Sequence, residues 1–72
     1  MTKQEAIEFF GTQVALGQAL GITQASVAGW GTHPPELRQL QLHRLTIGKL
    51  RAEPDILAKY GEPQDQQQGL VA

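Results

Sequence analysis

His33 and His43 are the side chains most suited to acid–base catalysis or metal binding, and they lie ten residues apart. Neither belongs to a serine–histidine–acid set or to a group with metal-ligand spacing, and the sequence has no cysteine. The glycines separate predicted helices and do not form a phosphate-binding loop. The sequence therefore predicts a protein that is not an enzyme, with no cofactor and no metal site.

A different chemistry is available to the amide side chain of Gln24. A glutamine amide offers a donor and an acceptor side by side, so it can pair with N6 and N7 of one adenine. Nearby Ala25 and Ala28 are small enough to contact a thymine methyl group, which is a less selective contact. The alternative is that Gln24 is an ordinary solvated residue. Reading bases would require a helix that holds these residues on one exposed face.

Capping residues and apolar residues at helical spacing predict an all-α fold of four to five short helices. Thr2 and Glu5 fit a capping box, and Pro35 suits the first turn of the fourth helix. That helix is predicted to be lined by Leu37, Leu40, Leu45 and Leu42. The remaining predicted boundaries are Gly11, Thr12, Gly21, Thr23, Gly31 and Gly48.

The second and third predicted helices have the pattern of a helix-turn-helix over residues 13–32. This motif needs a residue that tolerates positive φ at the turn, a small residue where the helices cross, and apolar residues on both sides. Gly21 suits the turn and Gly17 the crossing. The apolar positions are Leu16, Leu20, Ile22, Val27 and Trp30. A helical hairpin in a bundle that does not bind DNA is the alternative interpretation.

The chain is predicted to divide into a helix-turn-helix domain, residues 1–53, and a C-terminal part, residues 54–72. Pro54 can begin a short helix that ends at Tyr60, and residues 61–72 are rich in polar residues and predict a disordered tail. Ile56, Leu57 and Tyr60 either pack back on the domain or form part of a dimer contact, and we favour packing back.

The net charge of −1 argues mildly against a nucleic-acid partner. Its distribution weakens this argument, because residues 1–53 hold five basic and four acidic residues, whereas residues 54–72 hold one basic and three acidic residues. No apolar run approaches membrane-spanning length, and no signal peptide is recognised. We expect a soluble, intracellular protein with no membrane partner and no small-molecule ligand.

The sequence resembles the lambdoid phage Cro repressors, and most closely their all-helical branch. The resemblance covers about residues 1–51. It rests on Phe10-Gly11-Thr12-Gln13, Ala19-Leu20-Gly21-Ile22, Val27, Trp30 and Pro35-Glu36, and continues with Leu42, Thr46, Gly48 and Leu50. It implies a phage- or prophage-encoded repressor in the bacterial cytoplasm, which binds a pseudo-palindromic double-stranded operator as a weak homodimer. A prophage antitoxin-like regulator or a protein-interaction module stays open as the alternative.

A helix-turn-helix places its second helix, which is the third predicted helix of this chain, in the major groove. Residues on and beside this helix are therefore candidate DNA contacts. The base-contact candidates are Thr23, Gln24, Ala25, Ala28 and Gly29, and the phosphate-contact candidates are Gln13, Ser26, Thr32, Arg38, Lys49 and Arg51. By resemblance to phage repressors, Gln13 is expected to bind a phosphate and brace Gln24. Lys3 is expected to be an ordinary solvated charge.

Gly29 is unexpected inside a predicted helix, where glycine costs about 1 kcal/mol relative to alanine. The family usually carries a larger polar residue here, and often a polar residue in place of Ala28. One hypothesis is a close approach of the helix backbone to DNA. The other, which we favour, is a narrow set of base contacts that rests mainly on Gln24.

Overall fold

A computed structural model of the chain describes residues 1–61. It contains five α-helices: α1 (Lys3–Phe10), α2 (Gln13–Leu20), α3 (Gln24–Ala28), α4 (Glu36–Leu45) and α5 (Pro54–Tyr60). No β-strand occurs within these residues. The all-α prediction is confirmed, and α5 answers the open question of whether a fifth helix exists.

Threonine hydroxyl groups cap the first three helices, as the sequence predicts. The Thr2 hydroxyl accepts from the Glu5 amide while the Glu5 carboxylate accepts from the Thr2 amide, which completes the capping box. Thr12 and Thr23 each accept from the amide three residues further along the chain. Each cap satisfies an amide that the first turn of a helix leaves unpaired, so these short helices begin at defined residues.

The hydrophobic core lies where α2, α3 and α4 meet. Leu16, Val27 and Leu42, one from each of these helices, have fully buried side chains. Burying a side chain of this size contributes about 1.5–3 kcal/mol. The core also contains Met1, Ala6, Leu20 and Leu50, and the half-buried Ile7, Phe10, Ile22 and Trp30 pack against it. The predicted core position of Trp30 is confirmed.

The buried face of α4 differs from the predicted one. Leu37 and Leu45, which were expected to line the helix against the core, are 69% and 51% exposed. The buried residues beside Leu42 are instead the polar Gln39 and His43. Residues 39, 42 and 43 share one face because they lie three and four apart on the helix. The prediction is therefore confirmed for Leu42, with Leu40 half-buried, and wrong for Leu37 and Leu45.

These buried polar side chains are satisfied by backbone groups in the segments before and after α4. Gln39 Nε2 donates to the Pro34 carbonyl at 2.9 Å, and Gln39 Oε1 accepts from the Glu53 amide at 3.0 Å. His43 Nδ1 accepts from the Ala52 amide at 3.2 Å. Such partners remove most of the cost of burying a polar group. They also fix both connections of α4 to the rest of the fold.

The fifth helix packs back against α4, as favoured from the sequence. Ile56 is buried and Leu57 is half-buried, while Tyr60 donates to the Glu36 carboxylate at 3.0 Å. Hydrogen bonds from Tyr60 and then from Lys59 lower the pKa of Glu36. Beyond Gly61, the predicted disordered tail lies outside the described residues. Among the helices of residues 1–61, none has the length and apolar character needed to cross a membrane.

Candidate nucleic-acid interface

The turn between α2 and α3 fixes how these helices meet. Gly21 adopts the left-handed conformation, with φ 73° and ψ 28°, and the Ile22 amide donates to the Gly17 carbonyl at 2.9 Å. A Cβ atom at Gly17 would lie 2.8 Å from the Ile22 carbonyl oxygen. The two helices therefore approach as closely as the predicted motif requires, and the assigned roles of Gly17 and Gly21 are confirmed.

The third helix is short and presents most of its residues outward. Within α3, Val27 is buried and holds the helix on the core. All five base-contact candidates, Thr23, Gln24, Ala25, Ala28 and Gly29, are exposed. Every residue that was expected to meet bases is therefore accessible, either on α3 or at one of its two ends.

Two details of this helix differ from the prediction. The helix ends at Ala28 with Gly29 as its C-cap, and not at Gly31. The Trp30 amide donates to the Val27 carbonyl at 3.1 Å, and the chain leaves the helix here as Trp30 packs on the core. Gly29 is thus outside the helix interior, at φ −78°, and the helix-interior cost assigned to it does not apply.

Gln24 lies in the first turn of α3 and its side chain is exposed. It makes no hydrogen bond within residues 1–61, so both ends of its amide can meet an external partner. Ser26 and Thr23 differ, because their hydroxyl oxygens lie 3.1 Å apart in a mutual hydrogen bond. Gln24 therefore gives this surface a long polar side chain that makes no hydrogen bond within residues 1–61.

Gln13 begins α2 and borders an open groove that Thr32 also lines. Its Oε1 atom is buried without a hydrogen-bond partner in the described part of the chain. The structure thus brings together two phosphate candidates, Gln13 and Thr32, beside the end of α3.

The basic phosphate candidates do not join this groove. Lys49 and Arg51 line a separate groove with Met1 and Glu5. Arg38 is half-buried, and its guanidinium donates to Gln41 Oε1 at 2.7 Å. The predicted set of phosphate contacts is therefore divided between different parts of the surface.

The sequence did not indicate the contacts that Lys3 makes in the structure. It was expected to be a solvated charge, but its ammonium donates to the carbonyls of Ala28 at 3.2 Å and Trp30 at 3.5 Å. The expectation was wrong because α1 starts beside the C-terminal end of α3, where carbonyl groups lack helical partners. A basic residue just after a capping threonine gives no signal of this contact, which joins residues far apart in the chain.

Residues at the chain start also contact the loop before α5. The Met1 amine donates to the Arg51 carbonyl at 2.6 Å and pairs with the Glu53 carboxylate at 2.7 Å. His33 Nδ1 lies 3.0 Å from the Met1 carbonyl oxygen. The hydrogen bond from the amine is the main cause that lowers the pKa of Glu53. The start of the chain thus connects the segment after α3 with the segment after α4.

The compact pair α2–α3, with its glycine turn and exposed second helix, defines a helix-turn-helix protein. This class uses the second helix of the pair to contact DNA. The family model described as DNA-binding transcriptional regulator Cro matches residues 2–61. The chain belongs to this family, as its sequence suggested.

Two curated relatives agree with this assignment. The regulatory protein cro of Salmonella phage P22 is 41% identical over 51 residues, which cover 71% of this chain and 84% of that protein. The repressor protein of division inhibition gene dicB from Escherichia coli K12 is 36% identical over 61 residues, covering 83% and 80% of the two chains. Among solved structures, N15 Cro complexed with consensus operator DNA superimposes with a TM-score of 0.70 at 25% identity, covering 86% of this chain and 100% of that one.

Proposed function

We infer that this protein is a transcriptional repressor that inserts α3 into the major groove of an operator. The observation that carries this inference is the exposure of all five base-contact candidates on α3 and at its ends, next to the α2–α3 turn. The relatives support it, since one is named as the repressor of a division inhibition gene and another was solved in complex with operator DNA. Binding over a promoter would exclude RNA polymerase.

Most of the sequence discrimination comes from Gln24 in this proposal. A bidentate pair between its amide and adenine is worth about 1–3 kcal/mol, whereas Ala25 and Ala28 offer only apolar contact to thymine methyl groups. Gln13 and Thr32 bind phosphates beside α3 and set its register on the duplex. Arg38, Lys49 and Arg51 contribute the cationic contacts, with a slope of log affinity against log salt of about −3 to −4 per half-site.

The test compares Gln24→Ala with Gln18→Ala on a duplex that the wild-type protein selects from random DNA. Gln18 is the matched control because it is an exposed glutamine on α2, outside the recognition helix. We expect Gln24→Ala to lower operator affinity about 10-fold or more and to relax the preference at one base pair per half-site. Equal affinity and equal base preference of both variants would contradict the role of Gln24.

A second copy of the chain completes the proposed operator complex. One chain presents one recognition helix, and half-sites in this class lie about 34 Å apart, one helical turn of DNA. An apolar surface is available for pairing on the α4–α5 side, in an open groove of about 820 Å³. We name it the α4 groove; its exposed apolar residues are Leu37, Leu45, Ile47 and Tyr60.

The backbone at Ile47 supports a contact at this groove. Ile47 has φ 54°, is the only non-glycine residue with positive φ in residues 1–61, and is 78% exposed. A β-branched residue in this conformation is strained by about 1–3 kcal/mol, and such strain collects at functional positions. The same groove also favours the alternative function, a module that binds another protein. Sedimentation of the purified chain separates the two, because only self-association produces a concentration-dependent dimer without a partner.

A further inference from the structure

The C-terminal end of the recognition helix, α3, is stabilised by few contacts within the helix itself. The helix α3 has five residues, with Val27 as its buried anchor. The last carbonyl groups of any helix lack helical partners, and a helix this short gains little stability from its own hydrogen bonds. The segment after it contains Gly29 and Gly31, which add backbone freedom. Something outside α3 must therefore fix where this segment lies.

Lys3 contacts this segment through both its side chain and its backbone. Its ammonium donates to the carbonyls of Ala28 and Trp30, at 3.2 and 3.5 Å, and its amide donates to the Thr32 carbonyl at 2.9 Å. The amide is available because the first amides of a helix have no helical acceptor. The ammonium is favoured at this place because a helix C-terminus has partial negative charge.

Lys3 is itself held firmly on the rest of the fold. It is the first residue of α1, whose start is fixed by the Thr2–Glu5 capping box and whose Ala6 is fully buried. On the other side, the neighbouring Met1 is buried and pairs with Glu53. Lys3 is thus anchored on the rest of the fold and donates hydrogen bonds to both ends of the segment 28–32.

We propose that Lys3 is a positioning residue, which orients the C-terminal end of the recognition helix and is not itself a phosphate ligand. This rests on the proposed function, because the segment that it holds contains the candidate contacts Ala28, Gly29 and Thr32. Loss of the ammonium lets residues 28–32 move relative to Val27 and weakens the selective contacts. Contacts to the sugar–phosphate backbone elsewhere are unaffected.

The test uses Lys3→Met, which keeps an unbranched side chain up to the ε position but removes the ammonium, and Lys3→Arg, which keeps the charge and the side-chain donors. Lys49→Met is the comparison for loss of a phosphate ligand, because the proposed function places this exposed lysine among the cationic phosphate contacts: it should weaken binding to both duplexes and reduce the salt slope. Each protein is titrated with a duplex selected by wild type and with a scrambled duplex, across a series of salt concentrations. All measurements are made well below the melting temperature of the variant, which circular dichroism supplies.

Lys3→Met should lower selected-duplex affinity about 5- to 10-fold and scrambled-duplex affinity less, because both duplexes share only the phosphate contact of Thr32 with the displaced segment. The salt slope should keep its wild-type value, because Thr32 is uncharged. Lys3→Arg should restore most of the lost affinity. A phosphate ligand would instead weaken binding to both duplexes equally and reduce the magnitude of the salt slope by about 0.9. That result, or unchanged binding to both duplexes, overturns the proposal.

A readout without DNA separates this proposal from the proposed function. Trp30, whose carbonyl accepts from Lys3, is the only tryptophan in the chain, so its fluorescence reports this segment alone. Lys3→Met should increase acrylamide quenching of Trp30, and Lys49→Met should not. Unchanged quenching overturns the positioning role. Equal binding of wild type to both duplexes, with increased quenching in Lys3→Met, overturns operator recognition and keeps the positioning role.

Discussion

Gly17 illustrates how one missing side chain sets the geometry of the helix pair. The atom that a Cβ would meet is the backbone oxygen of Ile22, at 2.8 Å, and a backbone oxygen cannot rotate away as a side chain can. Relief would require α2 and the turn to separate. The separation would move α3, and with it the whole candidate DNA surface.

We therefore expect Gly17→Ala to lower the free energy of unfolding by about 1–2 kcal/mol. Overpacking costs about 1–3 kcal/mol, and the better helix propensity of alanine offsets at most about 1 kcal/mol. Urea denaturation followed by circular dichroism measures the change. A variant as stable as wild type would show that the helices can separate at little cost.

Gly29→Ala should behave in the opposite way. Gly29 has φ −78°, and a Cβ there would meet carbonyl oxygens at an ordinary 3.6 Å. Alanine fits and restricts the unfolded chain, so stability should rise by about 0.4–1 kcal/mol. Operator affinity should stay unchanged if the base-contact set is simply narrow. A loss of affinity in this more stable variant would instead favour close approach of the backbone to DNA.

At the scale of elements, the start of the chain joins two loops that flank α4. The Met1 amine pairs with Glu53, and the Met1 carbonyl oxygen contacts His33. The hydrogen bond from the amine lowers the folded-state pKa of Glu53 below its ordinary value. A lowered carboxyl pKa contributes stability above the unfolded-state pKa, and this contribution is lost as pH falls through the folded-state pKa.

Glu53→Gln should consequently be less stable than wild type at pH 7, and this difference should shrink below about pH 4. Glutamine keeps the shape and an acceptor oxygen but not the charge. Glu8→Gln is the control, because Glu8 accepts from Gln4 on the same helix and contacts no amine in residues 1–61. Urea denaturation at pH 7 and pH 3 measures both variants. A stability difference for Glu53→Gln that is independent of pH would contradict the role of the ion pair.

The contrast between helix starts and buried faces shows what the sequence could predict. The starts of α1, α2 and α3 and the glycine turn depend on local contacts, and these were read correctly from residues such as Thr12 and Gly21. The buried face of α4 was not, because Gln39 and His43 are acceptable inside only through backbone partners in the segments before and after this helix, which the helical pattern itself does not reveal. The contact of Lys3 with α3 was missed for the same reason. Local patterns indicate elements, whereas buried polar partners depend on the completed fold.

At the scale of the whole molecule, a palindromic operator would require two copies of the chain to pair. The α4 groove combines exposed leucines with a strained and exposed Ile47. Asparagine tolerates the left-handed conformation better than isoleucine and removes the apolar side chain. This substitution therefore separates strain from association.

Ile47→Asn should raise the stability of the monomer by about 1 kcal/mol while weakening the dimer, which sedimentation velocity over a concentration series would detect. Val14→Asn is the control for association, since Val14 is an exposed apolar residue on α2 outside the α4 groove. Dimer dissociation constants that are the same for wild type and Ile47→Asn would place the interface elsewhere.

Selection of binding sites from random duplex DNA by the purified protein tests operator recognition through α3 most directly. The expected result is a pseudo-palindrome whose two half-sites are centred about 10 base pairs apart, one turn of DNA, with an adenine preference that Gln24→Ala relaxes. Failure of the folded wild-type protein to enrich any sequence would contradict sequence-specific repression by this helix-turn-helix.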